Sequence, residues 1–224
     1  MEIKFDFNTS LYYKDPQQTE LGKRIIEQSV ILIDSIGFES FTFKKLAIEI
    51  GSTEKSVYRY FENKHHLLLF LTSWYWEWVH YLIEINIKNI ETPRKKLQIA
   101  IHTLVIATAE NLKNKYINES LLHKVVIKEG GKAYHINEVD DEHKAGMFQS
   151  YNGLVKLVSS IIKEIDPEFP YAASLSSNIF EMANNQIYFA EHLPQITSLK
   201  SGKKMNEDLI EMLTHFAERI LSEK

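Results

Sequence analysis

Apolar residues return at the helical period along almost this whole chain, and residues that start or stop helices punctuate them. After Pro16, Thr19 stands as an N-cap, and Leu21, Ile25, Leu32 and Ile36 recur on one face until Gly37 supplies a stop. A second helix fits between Thr42 as cap and Gly51, with Phe43, Leu46, Ala47 and Ile50 inward. Thr53 opens a short third helix reaching about Tyr60, and Asn63 caps a long fourth running towards Asn89. Phe70, Trp74, Trp78 and Tyr81 share one face of that helix, the spacing of core packing. Thr92-Pro93 starts a helix towards Asn114, and Asn118 starts another that Gly130-Gly131 ends. Three more are expected: from about Glu138 to just before Pro167, from Tyr171 to His192, and from Asn206 to Leu221. Gly and Pro together supply only 13 of 224 residues, which disfavours turn-rich β folds. The expected fold is all-α, about nine helices, with three short ones first. Residues 1–7 alternate, with Ile3, Phe5 and Phe7 against Lys4 and Asp6, and read as a short strand or as an arm packed on the body.

Composition narrows the chemistry. Cysteine is absent, which removes disulfide scaffolds, thiolate metal sites, Fe–S clusters and cysteine nucleophiles. The longest apolar stretch, residues 99–109, is interrupted by His102, Thr103 and Thr108 and falls short of the ~20 residues that a membrane span needs. No basic region followed by an apolar run opens the chain, so neither a signal peptide nor a membrane partner is expected, and a cytoplasmic location is. Lys and Arg number 26 against 30 Asp and Glu, a formal charge of −4, which argues against coating nucleic acid with the whole surface.

The informative stretch is residues 42–61. Two short helices joined by Ile50-Gly51-Ser52-Thr53 have the form of a helix-turn-helix, with Gly51 accommodating the turn. Val57 and Phe61, four residues apart, anchor the second helix inward, which turns Glu54, Lys55, Tyr58 and Arg59 outward. Such a face, cationic and rich in hydrogen-bonding groups, is of a size that enters a major groove.

The residues are more specific than the spacing. Thr42, Leu46-Ala47, Gly51-Ser52-Thr53, Ser56-Val57-Tyr58-Arg59-Tyr60-Phe61, Asn63-Lys64 and Leu67-Leu68 together resemble the DNA-binding domain of the TetR family of bacterial transcriptional regulators. Ile25, Ile26, Leu32, Gly37 and Phe38 resemble that family's first helix, so the likeness covers about residues 20–70. It implies an arm over residues 1–19, a helix-turn-helix domain over 20–66 and an effector-binding and dimerisation domain over 67–224. It further implies that Thr42 caps its helix and meets a backbone phosphate, and that Thr53 caps the recognition helix. Glu54, Lys55 and Ser56 then occupy the base-reading turn, and Tyr58 and Lys64 contact phosphates. Lys44 and Arg59 join these DNA-binding candidates as cations of the same segment, Arg59 on geometry alone. Ser52 and Lys55 depart from the family pattern, where an apolar residue and a Gly or Pro are usual. Lys55 could meet guanine or a phosphate, and Glu54 a cytosine amino group or a neighbouring Lys.

Charge agrees with this placement. Residues 42–66 hold five cations (Lys44, Lys45, Lys55, Arg59, Lys64) and three anions (Glu49, Glu54, Glu62), a net of +2 that leaves −6 for the rest. If roughly four groups per subunit neutralise phosphates, the affinity of a dimer falls with salt with a slope of about −7.

One recognition helix reads few base pairs, so a homodimer on a palindromic operator is expected. In the last helix Leu209, Met212, Leu213, Phe216 and Ile220 form a stripe that Ile210, Ala217 and Leu221 widen beyond what one neighbour needs. Leu175, Ile179 and Met182 play the same part in the helix before it, and the two helices are predicted to form a two-fold interface, the alternative being that both are central in a monomer. His102, Tyr151 and Gln186 are polar residues on apolar faces, each either a satisfied core hydrogen bond or a contact to an effector. The family resemblance implies that such an effector is small and mostly apolar and that the usual outcome is repression. No cofactor is called for. Asp140 and His143 have metal-ligand spacing, but an acidic first helical turn accounts for them, and no metal site is expected. The chain carries no Gly-rich phosphate loop, His-Glu-x-x-His or Gly-x-Ser-x-Gly motif, so no enzyme is expected. The competing reading is an all-α small-molecule-binding protein or carrier whose N-terminal triplet is only structural.

Overall fold

The computed structural model describes residues 3–107, 116–135 and 137–222. Among them run ten α-helices and no strand: α1 Glu20–Ser40, α2 Phe43–Glu49, α3 Glu54–Tyr58, α4 Lys64–Ile87, α5 Pro93–Ile106, α6 Glu119–Glu129, α7 Val139–Lys144, α8 Gln149–Ile165, α9 Ala172–His192 and α10 Met205–Ile220. The chain divides into two compact units, one of Met1–Glu77 with Asn111–Ser150 and one of Trp78–Glu110 with Tyr151–Lys224. The all-α expectation holds, with one helix more than expected.

The extra helix comes from Gly146. Its φ of 78° lies in the left-handed region, where α7 ends and the chain turns before α8. The expected single helix from Glu138 is therefore two. At Gly37 the expected stop takes the form of a kink: its backbone leaves helical geometry (φ 75°, ψ 155°), and a further turn follows to Ser40. The amide freed by that kink, Phe38 N–H, is met by a carboxylate oxygen of Glu129 at 3.0 Å. The helix expected to reach Asn114 is described only to Ile106, and its far end lies outside the described residues.

In the first unit the caps are those the sequence marks. Thr19, Thr42, Thr53 and Asn118 each accept a backbone amide of their own helix, from Gly22, Lys45, Ser56 and Leu121. The core of the unit is aromatic. Phe61, Phe70 and Trp74 are fully buried, and the Phe70 ring meets the edges or faces of Phe7, Tyr12 and Phe61.

Among its described residues the N-terminal segment forms no strand. It is an arm with short 3₁₀ turns at Thr9–Leu11 and Pro16–Gln18, and its odd-numbered aromatics point inward: Phe5 packs on Trp74 and Phe7 on Phe70. The side chain of Gln17 supplies what a neighbouring strand would. Its carboxamide accepts from Phe5 N–H (3.2 Å) and donates to Phe5 C=O (2.8 Å). The Tyr116 hydroxyl closes this clasp, 3.1 Å from Gln17 Oε1 and 3.2 Å from Ile3 C=O.

Gly22 on α1 is what lets the arm sit so close. A Cβ there would lie 2.2 Å from the Pro16 carbonyl oxygen and 2.5 Å from its Cα. Backbone cannot yield as a side-chain tip can, so Gly22→Ala is expected to lower stability by about 1–3 kcal/mol or more despite alanine's better helix propensity. A thermal melt would register this as a fall of several degrees.

In the second unit α10 packs on both α5 and α9. Arg94 of α5 donates to Glu218 of α10 at 2.7 Å, and Gln98 donates to the other oxygen of the same carboxylate. Trp78 is buried with its indole N–H on the Ala107 carbonyl at 3.0 Å. None of the described helices is long and apolar enough to cross a membrane.

Candidate nucleic-acid interface

The helix-turn-helix is assembled from four local devices. Thr42 starts α2, Gly51 at φ 59° turns the chain, Ser52 N–H bonds back to Ala47 C=O at 2.9 Å, and Thr53 starts α3. Val57 and Phe61 have no exposed surface, so α3 is fixed by its inner face. Glu54, Lys55, Tyr58 and Arg59 are exposed, and Ser56 is half-buried with its hydroxyl 2.8 Å from that of Thr53. Tyr58 is held upright: its ring packs edge-on against Phe43 at 5.0 Å while nearly half its surface stays open. Phe38, Phe41 and Phe43 continue this aromatic run inward.

The cations sort into two kinds. Lys45 donates to Ser40 C=O (2.8 Å), and Lys64 donates to Phe38 C=O (3.0 Å) and Glu39 C=O (3.2 Å) while lying over the Phe38 ring. Both satisfy carbonyls at the C-terminal end of α1, the negative end of its dipole. Lys64, expected on a phosphate, thus has an internal task and keeps one ammonium hydrogen for another. Lys44, Lys55 and Arg59 are exposed and carry no ion pair among the described residues.

Beside Lys64 lies a joint that sequence reasoning missed. Lys132 bridges Glu39 (2.8 Å) and Glu129 (2.9 Å), and Lys128 pairs with Asp34 at 3.5 Å. The hydrogen bonds that Lys132 donates to Glu129 and Glu39 raise its ammonium above its ordinary pKa, and Lys132 in turn holds the Glu39 carboxyl below its own. Glu129 sits 91 residues from the amide it caps, so no local pattern announces it.

No hydrogen bond among the described residues joins the three effector candidates to one another. His102 is exposed on α5, contrary to its expected place on a buried face, because that helix turns Ile101, Leu104 and Val105 inward instead. The Tyr151 hydroxyl donates to Glu181 at 3.1 Å, and the Gln186 carbonyl oxygen accepts from Thr197. Of the interface candidates, Leu175, Ile179, Leu209 and Leu213 are covered by the chain itself, and Met182 and Met212 are half-buried. Phe216 and Ile220 remain 43% and 46% exposed. They border an apolar groove of about 420 Å³ between α9 and α10. Among the described residues no group of three or more His, Asp or Glu side chains is placed to hold a metal ion.

The model of the bacterial regulatory proteins of the tetR family matches residues 25–70. No curated protein matches the chain in sequence. Solved structures do match in fold. A tetR-family regulatory protein from Rhodococcus RHA1 superposes with a TM-score of 0.64 at 15% identity, over 91% of this chain and 97% of its own. FadR from Bacillus subtilis, solved with stearoyl-CoA, gives 0.61 at 18% identity, over 89% and 97%. AibR, solved with isovaleryl coenzyme A and operator DNA, gives 0.60 at 12% identity, over 88% and 97%. Those identities speak for the fold; the matched segment, with the caps, turn and outward face described above, makes residues 25–70 a helix-turn-helix region of the TetR family.

Proposed function

We propose that this chain is a ligand-responsive transcriptional repressor that binds a palindromic operator as a homodimer in the cytoplasm. The observation that carries the reading is the outward face of α3. Lys55 and Arg59 stand there with no ion pair among the described residues, beside an upright Tyr58, on a helix fixed from behind by Val57 and Phe61. Thr42, Lys44, Tyr58, Arg59 and Lys64 meet phosphates in this reading, and Thr53, Glu54, Lys55 and Ser56 border the bases. The arm is residues 1–19, the DNA-binding domain 20–66, and the remainder serves effector and dimer. An exposed apolar edge at Phe216 and Ile220 favours a two-fold contact through α9 and α10. FadR and AibR were solved with acyl-CoA molecules, so thioesters with a short or long acyl chain are the first effectors to try.

Selection of duplexes from a random pool tests the reading. A palindromic sequence should emerge, bind the dimer with a steep salt dependence, and be released by an effector. A folded dimer that enriches no sequence and binds no duplex would sink it, and would favour the carrier reading.

A further inference from the structure

The clasped arm delivers a cation to the reading head from outside the helix-turn-helix. Tyr13 N–H donates to Tyr60 C=O at 2.8 Å, and Tyr60 follows Arg59, the residue that ends α3. Lys14 comes next. It is exposed, its ammonium lies 5.4 Å over the Tyr60 ring, and among the described residues it has no carboxylate partner. The backbone on either side is pinned: Leu11 and Pro16 are buried, Gln17 clasps Phe5, and Pro16 fits against the bare Cα of Gly22. The Tyr60 hydroxyl is tied in turn to Thr19, the cap of α1, at 2.8 Å. Lys14 is therefore held beside the end of α3, unlike a lysine on a loose tail.

Chemistry separates it from its neighbours. Lys45 and Lys64 already serve carbonyls, and Lys23 pairs with Glu20 at 3.3 Å, so a phosphate would have to compete with existing partners for them. Lys14 resembles Lys44, Lys55 and Arg59 in having no acid to displace among the described residues, and the Glu62 carboxylate near Tyr13 faces His66 at 3.6 Å. An unpaired, positionally fixed cation releases a counterion from DNA at little ordering cost.

We propose that Lys14 is a phosphate contact, and that the arm forms part of the DNA interface by carrying it to the duplex backbone beyond the end of α3. The proposal rests on the regulator reading, and the test keeps the two apart. Fluorescence anisotropy would follow the wild type, Lys14→Met and Lys14→Arg on a duplex chosen by selection, between roughly 0.05 and 0.3 M salt. Methionine keeps the apolar stem over Tyr60 and removes only the charge. Lys14→Met should lose about 0.9 of slope per subunit, near 1.8 for a dimer, and bind about 30-fold more weakly at ~0.15 M salt. Lys14→Arg should keep the wild-type slope, and both variants should melt with the wild type. An unchanged slope in Lys14→Met, or a loss of affinity that tracks a lower melting temperature, would reduce Lys14 to a cover for Tyr60 and overturn the proposal. A wild type that binds no duplex at any salt removes the regulator reading itself, before Lys14 enters.

Discussion

Replacing Lys55 and Arg59 together by alanine is expected to weaken operator binding about a thousandfold at ~0.15 M salt. The estimate follows from counting. With Lys55 reaching a phosphate beside the bases it borders and Arg59 reaching another, two neutralised phosphates per subunit make four per dimer, so the slope of log affinity against log salt drops by about 3.6, roughly half of the −7 expected for the intact head. Both side chains are exposed and have no ion pair among the described residues, and neither contributes to the buried face of Val57 and Phe61. The double variant should therefore fold and melt as the wild type does. If Lys55 also donates to a base edge, the loss exceeds the salt term and base preference at one position of each half-site relaxes. Salt-series anisotropy on the selected duplex separates these contributions. A double variant that keeps both affinity and slope would show that α3 does not face the phosphates.

The local half of this arrangement was legible in the residues, and the long-range half was not. Caps report themselves because Ser, Thr and Asn act within three residues, and Thr19, Thr42, Thr53 and Asn118 all do so. Period-3.6 patterning located Val57 and Phe61 on the inner face for the same reason. Alternation left strand and packed arm both open at residues 1–7 because it reports only which side chains point inward; Phe5 finds its backbone partners in Gln17, and the arm is what forms. Gly146 misled because a single glycine in a helical pattern is usually tolerated, and only its positive φ makes it a break. Lys64 illustrates the limit most sharply. Its motif speaks of a phosphate, whereas its hydrogen bonds to Phe38 and Glu39 connect residues 25 or more apart, which no periodicity encodes.

The stripe on α10 was wide for a reason that the packing divides in two. Leu209 and Leu213 are consumed within the protomer, where α10 meets α5 and α9, and Met212 is half-buried, which accounts for three of the five residues of the stripe. Phe216 and Ile220 are the remainder, each more than two-fifths exposed on the rim of the α9–α10 groove with Tyr171 nearby. Phe216→Glu combined with Ile220→Glu is accordingly expected to convert the proposed dimer to a monomer. A two-fold contact brings four carboxylates into one apolar patch, and each buried ion without a partner costs several kcal/mol, mitigated by whatever water remains. Even a total of ~5 kcal/mol raises the dimer dissociation constant by about four orders of magnitude. In the free protomer both positions face solvent, so the monomer should keep its helical circular-dichroism spectrum, and light scattering should report half the mass. Loss of the dimer should then cost the operator far more than half its affinity, because two linked half-site contacts become one. A double variant that still runs as a dimer would move the interface away from α10, and the exposed edge of the groove would then be open to an apolar ligand.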